Sequence, residues 1–167
     1  DIFIKDQRGY LKNLHLAQIL HYADIKNNEK VLHIGGLTGY LSVLIAKLCN
    51  KVYVTDNEQF FVDSIIKNFT NNEVKNGKVF LKKNFSDGLK NEEPYDLIII
   101  DCPQYNFNLD LLSQVNVGGR IIHIEKINEG LSKAYKMTKY EDNYSKIFLF
   151  DVFSNLYLTK QLEGFNF

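Results

Sequence analysis

A cluster of glycines after a short apolar run is the first feature of the sequence with a recognisable chemistry. Val31–Ile34 leads into glycines at 35, 36 and 39, and an amphipathic segment follows from Tyr40 to Leu48. This order predicts a strand, a tight turn and a helix. Glycines let the backbone turn sharply and a ligand approach it closely, and the new helix begins with unpaired N–H groups. Turns of this kind hold adenosine-containing cofactors.

An acidic residue stands at the spacing that such a cofactor needs. Asp56 ends the β-rich run 52–56, and it follows the first glycine of the turn by about 20 residues. An acid at this distance typically accepts hydrogen bonds from ribose hydroxyls. Asp56 or its neighbour Asn57 also suits the N-cap of a following helix, so both interpretations stay open.

Two further strand ends carry candidate side chains. Asn84 and Phe85 follow the predicted strand 78–81, where an amide can read an adenine edge and a ring can pack on it. An ordinary turn with a half-buried phenylalanine explains them equally well. Asp101 ends a continuous apolar run that begins at Tyr95, and it either contacts a cofactor or substrate or is a solvated strand end.

Histidine and cysteine give no catalytic or metal pattern. A lone histidine on a strand, such as His33, is usually a hydrogen-bonded core residue. Cys102 has no identifiable histidine partner, which argues against a nucleophile. The chain has four histidines and two cysteines, and none forms a metal-ligand spacing with a carboxylate, so we expect no metal site.

Composition limits the classes of function. The 167 residues are enough for one domain, predicted as 1–167, and the 45% hydrophobic content supports a packed core. Twenty basic residues balance twenty acidic ones, so binding to nucleic acid or a membrane surface is not expected as the main role. There is no membrane-length apolar run and no signal peptide, which favours a cytoplasmic protein. The chain starts at Asp1, so we expect a native N-terminal region to be missing; the oligomeric state stays open.

The order of elements predicts an α/β fold. Residues 1–9 are expected to be extended, and Leu131–Tyr140 and Lys146–Phe153 are expected to form an antiparallel strand pair at the sheet edge. Five βα-type units before that pair predict a doubly wound, mostly parallel sheet, with ligands at the carboxyl ends of its strands. The predicted strands are 30–34, 52–56, 78–81, 95–101 and 120–124. Helices are predicted at 11–23, 40–49 and 109–115. A further helix is predicted after Asn57, with Phe60, Phe61, Ile65 and Ile66 on one face.

Several segments together resemble one enzyme family. Residues 31–40, VLHIGGLTGY, are similar to the VLEIGTGSGYQ motif of protein-L-isoaspartate O-methyltransferases, which are class I S-adenosylmethionine-dependent enzymes. Residues 52–56 resemble their VYTVE segment, 94–100 their FDxIxV segment, and 111–121 their QLxxGGRLV segment. The tail 163–167, EGFNF, is similar to the EPGFVF end of a short bacterial branch.

The resemblance implies a Rossmann-like methyltransferase fold, S-adenosylmethionine as cofactor, and methyl transfer to an isoaspartyl carboxylate of a protein or peptide, which is protein repair. It assigns no catalytic residue. Two positions of the turn motif depart from the family pattern, because His33 replaces its acid and Leu37 replaces its central glycine. In addition, Gly9–Asn13 stands where the family has its TISQP motif, and it contains no Ser, Thr or Pro. The residues expected around the cofactor are His33, Gly35, Gly36, Gly39, Asp56, Asn57, Asn84, Phe85 and Asp101.

Two other classes of function remain open. A non-catalytic binding protein that retains the fold is favoured by the altered turn and the missing hydroxyl motif. An NAD-binding oxidoreductase would also use Asp56, but the terminal strand pair and the family resemblance favour the methyltransferase.

Overall fold

The computed structural model describes residues 1–158, and its centre is a seven-stranded sheet. A separate two-stranded hairpin precedes the sheet. The strands are β1 (Ile2–Lys5), β2 (Arg8–Tyr10), β3 (Lys30–Ile34), β4 (Lys51–Asp56), β5 (Gly77–Leu81), β6 (Tyr95–Ile99), β7 (Val115–Asn128), β8 (Leu131–Lys139) and β9 (Tyr144–Phe153); the α-helices are α1 (Asn13–Ala23), α2 (Tyr40–Leu48) and α3 (Gln59–Asn71). Short 3₁₀ segments cover Phe85–Asp87, Lys90–Glu92 and Leu109–Gln114.

The sheet is mostly parallel, with the order β5-β4-β3-β6-β7-β8-β9. The pairs from β5 to β7 are all parallel, and β7–β8 and β8–β9 are antiparallel. This confirms the predicted α/β fold with a C-terminal antiparallel strand pair. The chain reverses its direction across the sheet between β3 and β6, so the carboxyl ends of β3, β4 and β6 meet at the switch point where ligands bind in such sheets.

The central strands are buried because both of their faces are apolar. In β3 and β6 the side chains Val31, Leu32, Ile98 and Ile99 have no exposed surface. Their registers place Val31 beside Leu97 and Leu32 beside Ile98. Strands covered on both faces show a continuous apolar run instead of alternation, which is why the sequence identified them with almost correct bounds.

The helix after β4 corrects two details of the prediction. Phe61 and Ile65 are fully buried, but Phe60 and Ile66 are exposed, so only half of the predicted apolar face packs inward. The N-cap residue of α3 is Glu58, and neither Asp56 nor Asn57 occupies that position. Across residues 1–158, every helix is too short or too polar to cross a bilayer.

The second half of the sheet lacks the α-helix predicted at 109–115. The connections from β5 to β6 and from β6 to β7 contain 3₁₀ segments, so the prediction of five βα units was wrong, and Leu109–Gln114 is 3₁₀. Six residues give too little length for a stable α-helix. The predicted strand 120–124 is longer, Val115–Asn128, because β8 continues the pairing as far as Asn128. The tail 163–167, whose sequence resembles the end of a bacterial branch, lies outside the described residues.

Two aromatic side chains pack against a histidine on the antiparallel half of the sheet. His123 of β7 is fully buried, with its ring centroid 4.0 Å from that of Phe107 and 5.8 Å from that of Tyr135. Within the described chain neither of its ring nitrogens has a hydrogen-bond partner. Burial, with a smaller contribution from the positive charge of Lys146, lowers the pKa of His123 to about 3. The ring is therefore neutral in the folded protein at pH 7.

We predict that this histidine makes the fold acid-sensitive. The unfolded chain binds the proton near the ordinary pKa of about 6.5, whereas folded His123 binds it only near pH 3. The free energy of unfolding should therefore fall by roughly 2 kcal/mol between pH 7 and pH 5 through this group, as measured by urea denaturation at both pH values. His123→Phe should remove this part of the pH dependence. His21→Phe, at an exposed position of α1, is the control that should keep it; an unchanged slope in His123→Phe would contradict the assignment.

Candidate functional site

The glycine turn joins the end of β3 to α2 in the conformation that its sequence favours. Gly35 and Gly39 have φ angles of 82° and 91°, which side chains with a Cβ atom rarely adopt. The backbone N–H groups of Gly35 and Gly36 donate to the carbonyl of Thr55 at 2.8 and 3.1 Å, so the turn is fastened to the neighbouring strand. Leu37, where the family has a glycine, also has a positive φ of 51°.

Asp56 is fully buried, and protein donors meet both of its carboxylate oxygens. The backbone N–H of Leu37 donates to Oδ2 at 3.0 Å, and those of Asn57 and Glu58 donate to Oδ1 at 2.8 and 3.3 Å. Arg8 adds a bidentate ion pair, with Nη1 2.9 Å from Oδ1 and Nη2 2.6 Å from Oδ2. A carboxylate offers roughly four lone-pair sites, so these donors leave little acceptor capacity for anything else.

The guanidinium of Arg8 is held between two aromatic rings. Its Cζ lies 4.7 Å from the ring centroid of Phe61 on α3 and 5.0 Å from that of Phe85. Its Nη1 also donates to Oδ1 of Asn57 at 3.1 Å. Arginine is suited to such a position, because its planar group can stack on rings while its edge bonds a carboxylate.

A second segment of the chain covers the glycine turn. A Cβ atom at Gly35 would lie 2.8 Å from Cδ1 of Leu158, which shows that the leucine side chain packs directly on the turn. The backbone N–H of Leu158 donates to the carbonyl of Pro103 at 2.7 Å, and that of Tyr157 donates to the carbonyl of Gln7 at 3.0 Å. The segment after β9 and the β1–β2 hairpin therefore close over the turn together.

His33, Ser42 and Asp101 form a buried hydrogen-bonded row. Nδ1 of His33 lies 2.8 Å from Oγ of Ser42, and its Nε2 lies 3.0 Å from Oδ1 of Asp101. The serine is fully buried and the histidine has 1% of its surface exposed, so this row has the order of a hydrolase triad without an accessible nucleophile. Its effect is to hold the Asp101 carboxylate beside the end of β3.

The remaining predicted site residues take different positions. Gly36 and Gly39 are buried against Val54 and Ile65, where added Cβ atoms would come within 2.4 and 3.2 Å of them. Asn84 is exposed and its amide donates to Asp87 at 3.3 Å, so no described contact joins it to Asp56. Burial raises the pKa of the Cys102 thiol, which agrees with the expectation that it is not a nucleophile.

Sequence reasoning missed Arg8 and Ser42. Arg8 lies 48 positions before Asp56, in a segment predicted only as extended. No periodicity links two residues at that distance, and the one available signal is that the chain contains only two arginines. Among residues 1–158, no group of three or more histidine, cysteine, aspartate or glutamate side chains is close enough to hold a metal ion.

Comparison with known sequences identifies one family. The sequence profile of protein-L-isoaspartate (D-aspartate) O-methyltransferase matches residues 7–158. The chain is 26% identical over 132 residues to the Petrotoga mobilis protein-L-isoaspartate O-methyltransferase, covering 79% of this chain and 62% of that protein. It is 33% identical over 110 residues to the Christiangramia forsetii protein of the same name, covering 59% and 46%. The chain thus spans about half to three-fifths of the length of these relatives.

Comparison with solved structures shows that the chain has the fold of two protein-L-isoaspartate O-methyltransferase structures. A candidate protein-L-isoaspartate O-methyltransferase of Plasmodium falciparum, in complex with S-adenosyl-L-homocysteine, superposes with a TM-score of 0.76 at 19% identity, over 96% of this chain and 80% of that one. A second protein-L-isoaspartate O-methyltransferase gives the same TM-score at 16% identity, over 87% and 46%. The sheet order, the glycine turn at its switch point and the profile match over most of the sequence lead to one conclusion: the chain belongs to the protein-L-isoaspartate O-methyltransferase family.

Proposed function

We propose that the chain is an S-adenosylmethionine-dependent methyltransferase that modifies the isoaspartyl carboxylate of a protein or peptide. The observation that supports this most is the meeting of the Gly35–Gly39 turn with Asp56 at the carboxyl ends of neighbouring parallel strands. Adenosine cofactors are typically bound by a glycine turn that lets the backbone come close to the ligand and by an acid that accepts from the ribose hydroxyls. Family membership supplies the reaction class.

The polar groups around the turn suit the proposed cofactor. The Asp56 carboxylate would accept from the ribose hydroxyls, with Asn57 beside it, and the ring of Phe85 would pack on the adenine. Asn84 would contact the adenine edge. Asp101 would face the ammonium group of the methionine part. The space in front of the turn is taken by Arg8 and Leu158 in the described conformation, so binding requires these two side chains to move.

His33 and Asp101 together replace the acid that the family carries at position 33. A histidine brings no fixed negative charge. The Asp101 carboxylate lies 3.0 Å from its Nε2, and so restores an acidic group to this end of β3 from a neighbouring strand. Ser42 fixes the ring from the other side, at 2.8 Å from Nδ1. His33 is thus proposed as a positioning residue for Asp101.

The chemistry expected of the protein is mainly alignment. When bound, S-adenosylmethionine supplies the electrophilic methyl group together with its own leaving group. The chain would contribute orientation and a site without water, and it would need no acid–base pair. Residues 9–13 contain no serine or threonine, but Tyr10 places its hydroxyl in hydrogen-bond contact with Thr38 of the glycine turn. This is the hydroxyl that the segment brings to the site.

A non-catalytic member of the family is the second candidate. It is favoured by the five protein donors that already meet the Asp56 carboxylate, because a fully paired acid offers little to a ribose. Such a protein would retain the fold and bind the cofactor weakly or not at all. Cofactor binding and methyl transfer separate the two candidates.

We predict that the protein binds S-adenosylhomocysteine and does not bind NAD, as measured by calorimetric titration. In an Arg8→Ala background, where no arginine occupies the carboxylate, Asp56→Asn should weaken the binding by about 1–3 kcal/mol, because the buried hydroxyls lose a charged acceptor. The matched control is Asp63→Asn, at an exposed position of α3, which should leave the affinity unchanged. Equal affinities of the two variants would show that the ribose lies elsewhere, and binding of NAD alone would favour an oxidoreductase.

We also predict methyl transfer to an isoaspartyl peptide. With radiolabelled S-adenosylmethionine, the label should enter the isoaspartyl peptide and stay at background with the aspartyl peptide of the same sequence. Only the isoaspartyl peptide carries the linkage on which the proposed reaction acts. The measurement uses protein shown by titration to bind the cofactor. Background counts with both peptides would reject repair activity and favour the non-catalytic candidate.

A further inference from the structure

We propose that Asp56, with Asn57, Phe61 and Phe85 around it, forms a guanidinium site that binds the chain's own Arg8, and that Arg8 thereby competes with the cofactor. The identity of the competitor rests on the proposed function. The guanidinium site itself rests only on the contacts of the described residues.

The polar half of the site matches a guanidinium edge. Two nitrogens of Arg8 bond the two oxygens of Asp56 at 2.9 and 2.6 Å, and the first also bonds Asn57 at 3.1 Å. The side chain of Arg8 is 8% exposed and that of Asp56 is 0% exposed, so the pair is shielded from water. A bidentate pair of this kind depends on the planar fork of arginine, which a lysine cannot reproduce.

The apolar half of the site matches a flat group. Phe61 and Phe85 lie 4.7 and 5.0 Å from the Arg8 guanidinium carbon. A purine is also flat and also stacks on aromatic rings. A ribose would need the same Asp56 oxygens that Arg8 already occupies. One carboxylate cannot accept from both the Arg8 nitrogens and the ribose hydroxyls. Arg8 and an adenosine therefore cannot occupy the site at the same time.

The arginine is carried by an element that can separate from the sheet. The β1–β2 hairpin has strands of four and three residues, and all four residues of β1 are exposed. An isolated hairpin of this size is only marginally stable. Its other described polar ties are the surface pair Lys5–Glu58 and single hydrogen bonds between Tyr10 and Thr38, from Tyr157 to Gln7 and from Ser154 to Asp1. Nε of Arg8 is buried without a partner in the described chain, which weakens the hold further.

The first experiment tests the guanidinium site by chemical rescue. Arg8→Ala leaves a space that ethylguanidinium fits, so millimolar ethylguanidinium should raise the melting temperature of this variant by several degrees. It should leave the wild type and Lys5→Ala unchanged. Propylammonium, a cation without the planar fork, is the matched control ligand and should give no rescue. If Arg8→Ala does not fold without a ligand, it is refolded with and without ethylguanidinium, and recovery of folded protein with ethylguanidinium but not with propylammonium is then the rescue.

The second experiment tests the competition. S-adenosylhomocysteine should bind Arg8→Ala at least tenfold more tightly than the wild type, by calorimetry, and ethylguanidinium should reduce that gain. Lys5→Ala should bind as the wild type does. In the wild type, added S-adenosylhomocysteine should also speed hydrogen exchange of the backbone amides in β2, because the hairpin leaves the site.

The outcomes separate this inference from the proposed function. Rescue of Arg8→Ala by ethylguanidinium, together with tighter binding of S-adenosylhomocysteine by that variant, supports both the inference and the proposed function. Equal micromolar binding by the wild type and Arg8→Ala, without rescue, overturns the inference and leaves the cofactor assignment in place. Rescue of Arg8→Ala by ethylguanidinium, with no binding of S-adenosylhomocysteine to the wild type or to the variant, overturns both the competition and the proposed function. The guanidinium site alone is then retained.

Discussion

A single buried negative charge fixes the arrangement of the site. Asp56 has no exposed surface, and an ionised carboxylate in that position must be met by donors on every side. The turn after β3 supplies one N–H, the chain leading to α3 supplies two, and Arg8 supplies a charge. The glycine turn, the start of α3 and the N-terminal hairpin are therefore tied to one side chain. Breaking a buried ion pair typically costs about 3–5 kcal/mol, so the hairpin leaves the site only where other donors take the place of Arg8 at the carboxylate.

We propose that the second acid of the site, Asp101, lets the altered motif keep its charge. Position 33 carries a histidine, and the negative group near it comes from Asp101, one strand away in the parallel sheet. Ser42 completes the row from α2. The three residues have the order of a catalytic triad, but burial of the serine prevents it from reaching a substrate. Geometry alone therefore does not make a nucleophile, because access is also required.

The elements that the sequence predicted best are those whose pattern is local. The strands 30–34 and 52–56 and the helix 40–49 agree with the structure within one residue, because continuous apolar runs and glycines define them. The 3₁₀ segment Leu109–Gln114 and the exposed Phe60 were predicted less well. Periodicity indicates which residues share a helix face, but the packing of the helix in the tertiary structure decides how many of them are covered. The length of β7 likewise depends on its pairing with β8.

By itself, the sequence determined the α/β class, the glycine turn, the acid at the end of β4 and the family, since each is written in residues close together in the chain. Only the tertiary structure decided what those residues contact. It brought Arg8 across 48 positions onto Asp56, placed Leu158 on Gly35, and gave His33 two partners from different elements. Contacts over such distances depend on chain topology and on the burial of charge, and neither leaves a spacing in the sequence that could be read in advance.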